Sequence, residues 1–141
     1  MVNGNKDAHS ASAAEKEILI PDRAQNDEFW AVRRSAVESL GKIKRREHIG
    51  LFKDRCKDKN SKVRTATLRI LGDYKDSELI SFFREQFKKD NSYLAQAEAL
   101  RSIGKCGDRS QLSFLESTAK MKSPRNVIKR AADWAIEEIN K

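Results

Sequence analysis

Residues 28–43 read EFWAVRRSAVESLGKI, and the pattern of this stretch recurs three times further along the chain. Aligned on Val32, the four copies open with Val32-Arg33, Val63-Arg64, Ala95-Gln96 and Val127-Ile128, and eight positions later carry Leu40-Gly41, Leu71-Gly72, Ile103-Gly104 and Ala135-Ile136. Successive copies are 31, 32 and 32 residues apart. A fixed period of this length indicates a solenoid, in which each unit buries its apolar face by stacking on its neighbours.

Apolar residues within the first copy are spaced for one face of an α-helix. At 100° per residue, Phe29, Val32, Ala36, Leu40 and Ile43 fall within a sector of about 60°. We therefore predict that this stripe is buried and that the helix ends near Gly41, where glycine is a common terminator. We call the helices that carry the repeated pattern inner helices, and the helices between them outer helices.

The segments between the copies carry the residues expected of outer helices. Apolar positions share one helical face in residues 47–57, after residue 77 and in residues 109–119: Ile49, Phe52 and Cys56; Leu79, Ile80, Phe83 and Phe87; Leu112 and Leu115. Helix starts are predicted at polar capping residues, namely Asn60 or Ser61, Ser77, Asn91 or Ser92, and Ser123-Pro124. The second and third inner helices are predicted to end near Gly72 and at Gly104.

Length and composition bound the architecture further. The chain has 141 residues, of which 38% are hydrophobic and 35% charged, and its formal net charge is +8. Residues 1–12 are polar and predict a disordered tail or an expression remnant, whereas residues 13–141 form one helical repeat domain. Two separate cysteines, Cys56 and Cys106, predict reduced thiols in a cytoplasmic protein. We expect a monomer that does not contact membranes.

The stack of helical pairs resembles HEAT-type repeats, which implies an all-α, HEAT-like α-solenoid of about three and a half pairs. More narrowly, two stretches are similar to the helical repeat domain that follows the catalytic domain in some M1-family zinc metallopeptidases. These are Glu28-Phe29-Trp30-Ala31-Val32-Arg33 through Gly41-Lys42-Ile43, and Asn91-Ser92-Tyr93-Leu94-Ala95-Gln96-Ala97-Glu98-Ala99-Leu100 through Gly104-Lys105. The resemblance covers roughly residues 27–140 and implies an accessory domain of an aminopeptidase-like protein.

Catalytic motifs are missing from the sequence itself. The only histidines are His9 and His48, so the two-histidine, one-glutamate zinc site of an M1 peptidase cannot be built within this chain. No GxSxG and no phosphate-binding GxxxxGK[ST] motif occurs either. We predict a chain that is not an enzyme by itself, without a catalytic residue, a metal ligand or a cofactor.

Outward positions of the inner helices predict a concave wall of mixed charge. Reading two, six and ten residues after the start of each copy gives Arg34, Glu38, Lys42, Thr65, Arg69, Asp73, Ala97, Arg101, Lys105, Lys129, Asp133 and Glu137. We take Arg34, Glu38, Lys42, Arg69, Arg101, Lys105 and Lys129 as the candidate interaction surface. A groove that follows phosphates favours a nearly unbroken basic row, so this wall indicates a protein partner or a neighbouring domain.

Other charged and aromatic residues have expected places in the repeat. A candidate basic turn is formed by Lys44, Arg45 and Arg46. The outer helix predicted in residues 47–57 separates this turn from Lys57, Lys59 and Lys62. Arg33 and Arg64 are expected to pair between repeats, with Asp27, Asp58 and Asp90 as candidate partners. Trp30 and Tyr93 are expected to pack on the preceding outer helix, with an exposed anchor for a partner as the alternative.

These observations favour a non-catalytic protein-interaction or scaffold domain, as the accessory part of an M1-like metallopeptidase. A basic HEAT-type module that binds nucleic acid is the alternative, and we expect any such binding to be weak, electrostatic and indifferent to sequence. A HEAT protein resembling the bilin lyases is a weaker alternative, because it shares the fold while no residue here suggests a pigment site.

Overall fold

The computed structural model describes residues 27–141, which fold into seven α-helices joined by short turns. The predicted tail and residues 13–26 lie outside the described part of the chain. Inner helices are α1 (Trp30–Ile43), α3 (Ser61–Gly72), α5 (Tyr93–Cys106) and α7 (Val127–Ile139), and outer helices are α2 (Ile49–Arg55), α4 (Ile80–Lys89) and α6 (Leu112–Thr118). Short 3-10 turns precede α1, each outer helix and α7: Asp27–Phe29, Arg46–His48, Ser77–Leu79, Arg109–Gln111 and Pro124–Asn126.

The helices form two layers. Each inner helix packs on the next one, α1 on α3, α3 on α5 and α5 on α7, and each outer helix packs on the inner helix that follows it. The single core lies between the layers, because both helices of a pair bury their apolar faces there. This is the predicted all-α solenoid, and within residues 27–141 it has no strand.

Burial of the repeated pattern is complete in the middle of the stack and partial on α1. Ala36 and Leu40 are buried as predicted, and Val37 joins them. The prediction is wrong for Phe29, Val32 and Ile43, which are 42%, 45% and 50% exposed. In the next repeat, α2 packs on α3, where Val63 matches Val32 and is buried. Within residues 27–141, no outer helix precedes α1 to cover Val32 in the same way.

The inner helices approach one another closely at two glycines. A Cβ added at Gly72 would lie 2.4 Å from Ser102 Oγ, and one at Gly104 would lie 2.7 Å from the Cα of Ala135. Ser102 uses this proximity to donate a hydrogen bond from Oγ to the Leu68 carbonyl at 2.8 Å. The repeated glycine therefore serves the contact between repeats. It does not end the third inner helix, which runs on from Gly104 to Cys106.

Side chains cap most helix starts, with one correction to the predicted set. Asn60 accepts a hydrogen bond from the Lys62 N–H at 2.8 Å, and Ser92 accepts one from Ala95, so these two are the caps among the alternatives. Ser77 does not cap the outer helix α4. Asp76 is the cap instead, because its Oδ1 accepts a hydrogen bond from the Glu78 N–H at 2.9 Å. Ser77 lies within the first turn that follows this cap.

The last inner helix begins with an irregular turn. Ser123 and Pro124 precede it as predicted, but Arg125 and Asn126 then adopt left-handed backbone conformations with φ of 53° and 56°. The regular helix starts only at Val127. Ser123 still contributes, because its Oγ accepts the N–H of Ile128 at 3.0 Å.

Buried ion pairs connect successive repeats. Arg33 donates from Nε and Nη2 to the two carboxylate oxygens of Asp58, at 2.7 and 2.9 Å. One repeat later, Arg64 donates to Asp90 in the same way, at 2.8 and 3.0 Å. The expected pairing of both arginines is confirmed, with Asp58 and Asp90 as the partners. A bidentate arginine–carboxylate pair fixes the relative position of two units because its geometry is planar and directional.

Candidate interaction surfaces

The residues of the predicted concave wall lie on the inner helices or at their ends, and ion pairs connect some of them from repeat to repeat. Arg69 Nη2 on α3 lies 3.3 Å from Glu38 Oε2 on α1. Lys105 Nζ on α5 lies 2.9 Å from Asp73 Oδ1 at the end of α3. The partially exposed side chains in these pairs tie neighbouring helices together and partly neutralise each other.

Three of the remaining charged residues of the candidate surface are paired within their own helices or lie over an aromatic ring, whereas Lys42, near the end of α1, is exposed to solvent. Arg101 Nη1 lies 3.6 Å from Glu98 Oε1, and Lys129 Nζ lies 2.8 Å from Asp133 Oδ2. The Arg34 guanidinium lies 5.0 Å from the centre of the Trp30 ring. The wall therefore presents alternating charges, and its cations do not form a row of free positive groups.

One predicted member of the wall faces elsewhere. Ala97 is buried, although its position in the repeat matches that of Arg34. Both α3 and α7 pack on α5, and the close approach of these helices covers the small side chain. Among the candidate residues, the structure brings Arg34, Glu38 and Arg69 together around one depression, and the role of the whole set as an interaction surface stays a prediction.

A shallow depression of about 150 Å³ lies on this wall between α1, α3 and the start of α5. Its lining includes Arg34, Glu38, Lys62, Thr65, Arg69 and Leu94. Leu94 is 63% exposed, which is the largest exposure among the large apolar residues of the described chain. The sequence pattern did not single out Leu94, because an apolar residue one position before the repeated valine looks like ordinary core.

The candidate basic turn of Lys44, Arg45 and Arg46 is anchored to the next repeat. Arg46 donates a short hydrogen bond from Nη2 to Asp76, and the Arg45 carbonyl accepts one from the Tyr74 hydroxyl at 2.7 Å. The hydrogen bond from Arg46, together with the backbone N–H of Glu78, lowers the pKa of the Asp76 carboxyl. Lys44 closes α1 in the left-handed conformation, with φ of 56°.

The aromatic residues at the starts of inner helices have different surroundings. Trp30 is partly buried and packs on the core, and the Lys62 ammonium lies 4.5 Å from the centre of its ring. Tyr93 is 47% exposed. The outer helix expected to precede Trp30 lies outside the described residues, so its packing on that helix stays a prediction; its ring carries two cations. Tyr93 presents much of its side chain to solvent, as the alternative of an exposed residue expected.

A family model for HEAT repeats matches residues 20–100, which include α1 to α4 and the first half of α5. The chain belongs to the HEAT repeat family. HEAT repeats commonly mediate protein interactions and are generally not catalytic, which agrees with the charged wall as a contact surface. No curated protein matches this HEAT-repeat chain in sequence.

The two thiols of this HEAT-repeat domain are buried and inert. Burial raises the pKa of Cys56 far above its ordinary value, and it also raises the pKa of Cys106. The Cys106 thiol donates a weak hydrogen bond to the Gly72 carbonyl across the α3–α5 contact, at 3.5 Å. Since the thiolate is the nucleophilic form, both cysteines have structural roles here.

Metal-binding clusters and membrane-spanning helices are both absent from the part of the chain that the structure describes. Residues 27–141 contain no group of three or more histidine, cysteine, aspartate or glutamate side chains that could hold a metal ion. No helix within them has the length and apolar content needed to cross a membrane.

Proposed function

We propose that this HEAT-repeat domain is a non-catalytic interaction domain whose contact surface is the concave wall of α1, α3, α5 and α7. The observation that carries the proposal is the arrangement of the wall. Alternating charges are held in place by ion pairs between repeats, around a depression with the exposed Leu94 at its edge. A fixed pattern of charges with an apolar centre is suited to a protein surface of complementary charge.

The partner that we propose is the catalytic domain of an M1-like zinc metallopeptidase belonging to the same parent protein. Support comes from the resemblance of two stretches, which correspond to the inner helices α1 and α5. The zinc ligands would then be supplied outside this chain. We further propose that the domain is monomeric and cytoplasmic, on the basis of two separate buried thiols, Cys56 and Cys106.

The native reading frame provides the first test of the peptidase context. We expect an HExxH motif to be encoded in the same frame, and a frame that lacks one would refute that context. If the motif is present, the segment carrying it should bind this domain in a calorimetric titration of the two purified pieces.

Charge reversal on the wall then tests the surface itself. Arg69→Glu combined with Arg101→Glu should weaken binding by about tenfold or more, because truncating or reversing paired interface charges typically costs at least 2 kcal/mol. Lys88→Glu combined with Arg109→Glu is the matched control, with the same change in net charge at exposed residues outside the inner helices. Equal losses in both variants would rule out the wall as the specific contact surface.

A further inference from the structure

A second surface lies along the edge of the solenoid where the inner helices begin. Outer helices α2, α4 and α6 all end at this edge, so the three turns leading into α3, α5 and α7 lie side by side. Each turn carries exposed cations, and we call the set the basic edge: Lys57, Lys59 and Lys62; Lys88 and Lys89; Lys120, Lys122 and Arg125. In the sequence the first group looks like an isolated turn, whereas the fold continues it through two further repeats.

The aspartates of the first two turns are each bound by an arginine. Asp58 is buried and binds Arg33 and Arg55, and Asp90 is buried and binds Arg64. Both aspartates are thus paired with arginines that belong to helices α1, α2 and α3. Lys57 and Lys89, their neighbours in the chain, are exposed to solvent.

Acidic side chains also lie beside the edge, since Glu85 lines a depression with Lys88, and Glu116 and Asp133 line one with Lys120 and Lys122. Among residues 27–141, however, no ion pair involves Lys88, Lys89, Lys120, Lys122 or Arg125, and Lys57 has only an exposed contact with Asp54 at 4.0 Å. The opposite edge also carries cations, including the basic turn of Lys44, Arg45 and Arg46, but there Arg46 is paired with Asp76 and Lys105 with Asp73. The basic edge therefore differs in having several cations outside ion pairs.

The spacing of the repeats sets the length of this row. Packed helices lie about 8–10 Å apart, so the three turns extend over roughly 20 Å. A depression of about 400 Å³ between the first two turns is lined by Lys57, Lys59 and Lys89, and the paired carboxylates of Asp58 and Asp90 also line it. A strand within a duplex has a phosphate about every 3.4 Å along its axis, so about six phosphates is the upper limit for this length, and a more extended single strand presents fewer.

An exposed aromatic residue begins the helix that follows the second of these turns. Tyr93 begins α5 four residues after Lys89, and nearly half of its side chain is accessible to solvent. Proteins that bind single strands combine a basic track with exposed aromatic side chains, on which unpaired bases stack. Bases in a duplex already stack on each other and do not offer their faces to such a ring.

We propose that the basic edge binds the phosphate backbone of single-stranded nucleic acid, with Tyr93 stacking on one base. This surface adjoins the concave wall at Lys62, which also lines the depression there. The variants used in the test change neither Lys62 nor a residue of the wall, so the proposal does not depend on the peptidase partner. Binding is electrostatic and tolerant of sequence, because the cations contact phosphates and any base can stack on the ring. Acidic vesicles would attract the same lysines and serve as the competing ligand in the test.

The test is a fluorescence-anisotropy titration of the full chain with labelled single strands of about ten nucleotides, at low and at physiological salt. Lys89→Glu combined with Lys122→Glu should weaken binding by about tenfold or more at low salt. The same variant should reduce the slope of log affinity against log salt by about 1.4, at roughly 0.7 for each phosphate that is no longer neutralised. The matched control is Lys75→Glu combined with Arg109→Glu, which reverses two charges on the opposite edge and should weaken binding much less.

Substitutions of Tyr93 distinguish base stacking from electrostatic attraction alone. Tyr93→Ala should weaken binding of the single strand by about fivefold or more without changing the salt slope, and Tyr93→Phe should preserve binding. Equal weakening by the two charge-reversal variants would overturn the proposal, as would tighter binding of a duplex or of phosphatidylserine vesicles than of the single strand. Far-UV circular dichroism of each variant shows that the helices remain folded, since every substituted side chain is exposed.

Discussion

Replacing Asp58 by asparagine removes the charge that two buried arginines share. The Asp58 carboxylate accepts hydrogen bonds from Arg33 at 2.7 and 2.9 Å, from Arg55 at 3.3 Å and from the Asn60 N–H at 2.9 Å. The side chains of Asp58 and Arg33 are both 0% exposed. Removing one partner of a buried ion pair costs about 3–5 kcal/mol, because the remaining charge stays buried without its compensation.

That cost is a large share of the stability of a domain, which is commonly about 5–15 kcal/mol. With a urea dependence of about 2 kcal/mol per molar, Asp58→Asn should lower the midpoint of urea unfolding by about 2 M. Equilibrium unfolding followed by far-UV circular dichroism measures this shift. We expect the variant to remain helical in the absence of urea if the wild type lies in the upper part of that range.

Two matched substitutions show whether burial is the cause. Asp90→Asn breaks the equivalent pair one repeat later, where the Arg64 side chain is 13% exposed, so a smaller loss is expected. Asp133→Asn breaks the half-exposed pair with Lys129 and should cost about 0–1 kcal/mol, as surface pairs do. A loss for Asp58→Asn no greater than that for Asp133→Asn would refute the argument.

Three further predictions concern packing and titration. Gly72→Ala should lower the free energy of unfolding by about 1–3 kcal/mol, because the added Cβ would collide with the next inner helix. Gly50→Ala has open space around the added Cβ and should raise the free energy of unfolding by about 0.4–1 kcal/mol. Equal stabilities of the two variants in urea unfolding would contradict the close approach at Gly72. The pKa of Asp76, measured by NMR titration, should lie below 3.8 and rise in Arg46→Gln. Because this folded-state pKa lies below the unfolded one, the carboxylate stabilises the fold above about pH 3.8, and that contribution is lost as the pH falls further; an unchanged pKa in the variant would exclude Arg46 as the main cause. Cys56 should react with a maleimide only when the chain unfolds, since it is buried and its pKa is raised, and rapid labelling of the native protein would argue against this burial.

Local features of the sequence predicted the helices and several contacts between them. Asn60 and Ser92 cap helices where a short polar side chain precedes an apolar run, because capping depends on neighbouring backbone N–H groups. The pairing of Arg33 and Arg64 also follows from their repeated position. Ser77 was the wrong cap, because serine and aspartate are both good caps and only the backbone at Asp76 shows which one precedes the first turn.

The sequence by itself determined the period, the helical class, the apolar faces and the lack of an M1 zinc site within this chain, because each depends on residue identity and helical spacing. The tertiary structure alone decided which surface charges act together. It joined Lys89 and Lys122, which are 33 residues apart, to one edge, and it paired Asp58 and Asp90 beside that edge with Arg33 and Arg64. The physical reason is that electrostatic interaction depends on distance and burial, and a solenoid brings equivalent positions of successive repeats within about 10 Å of one another.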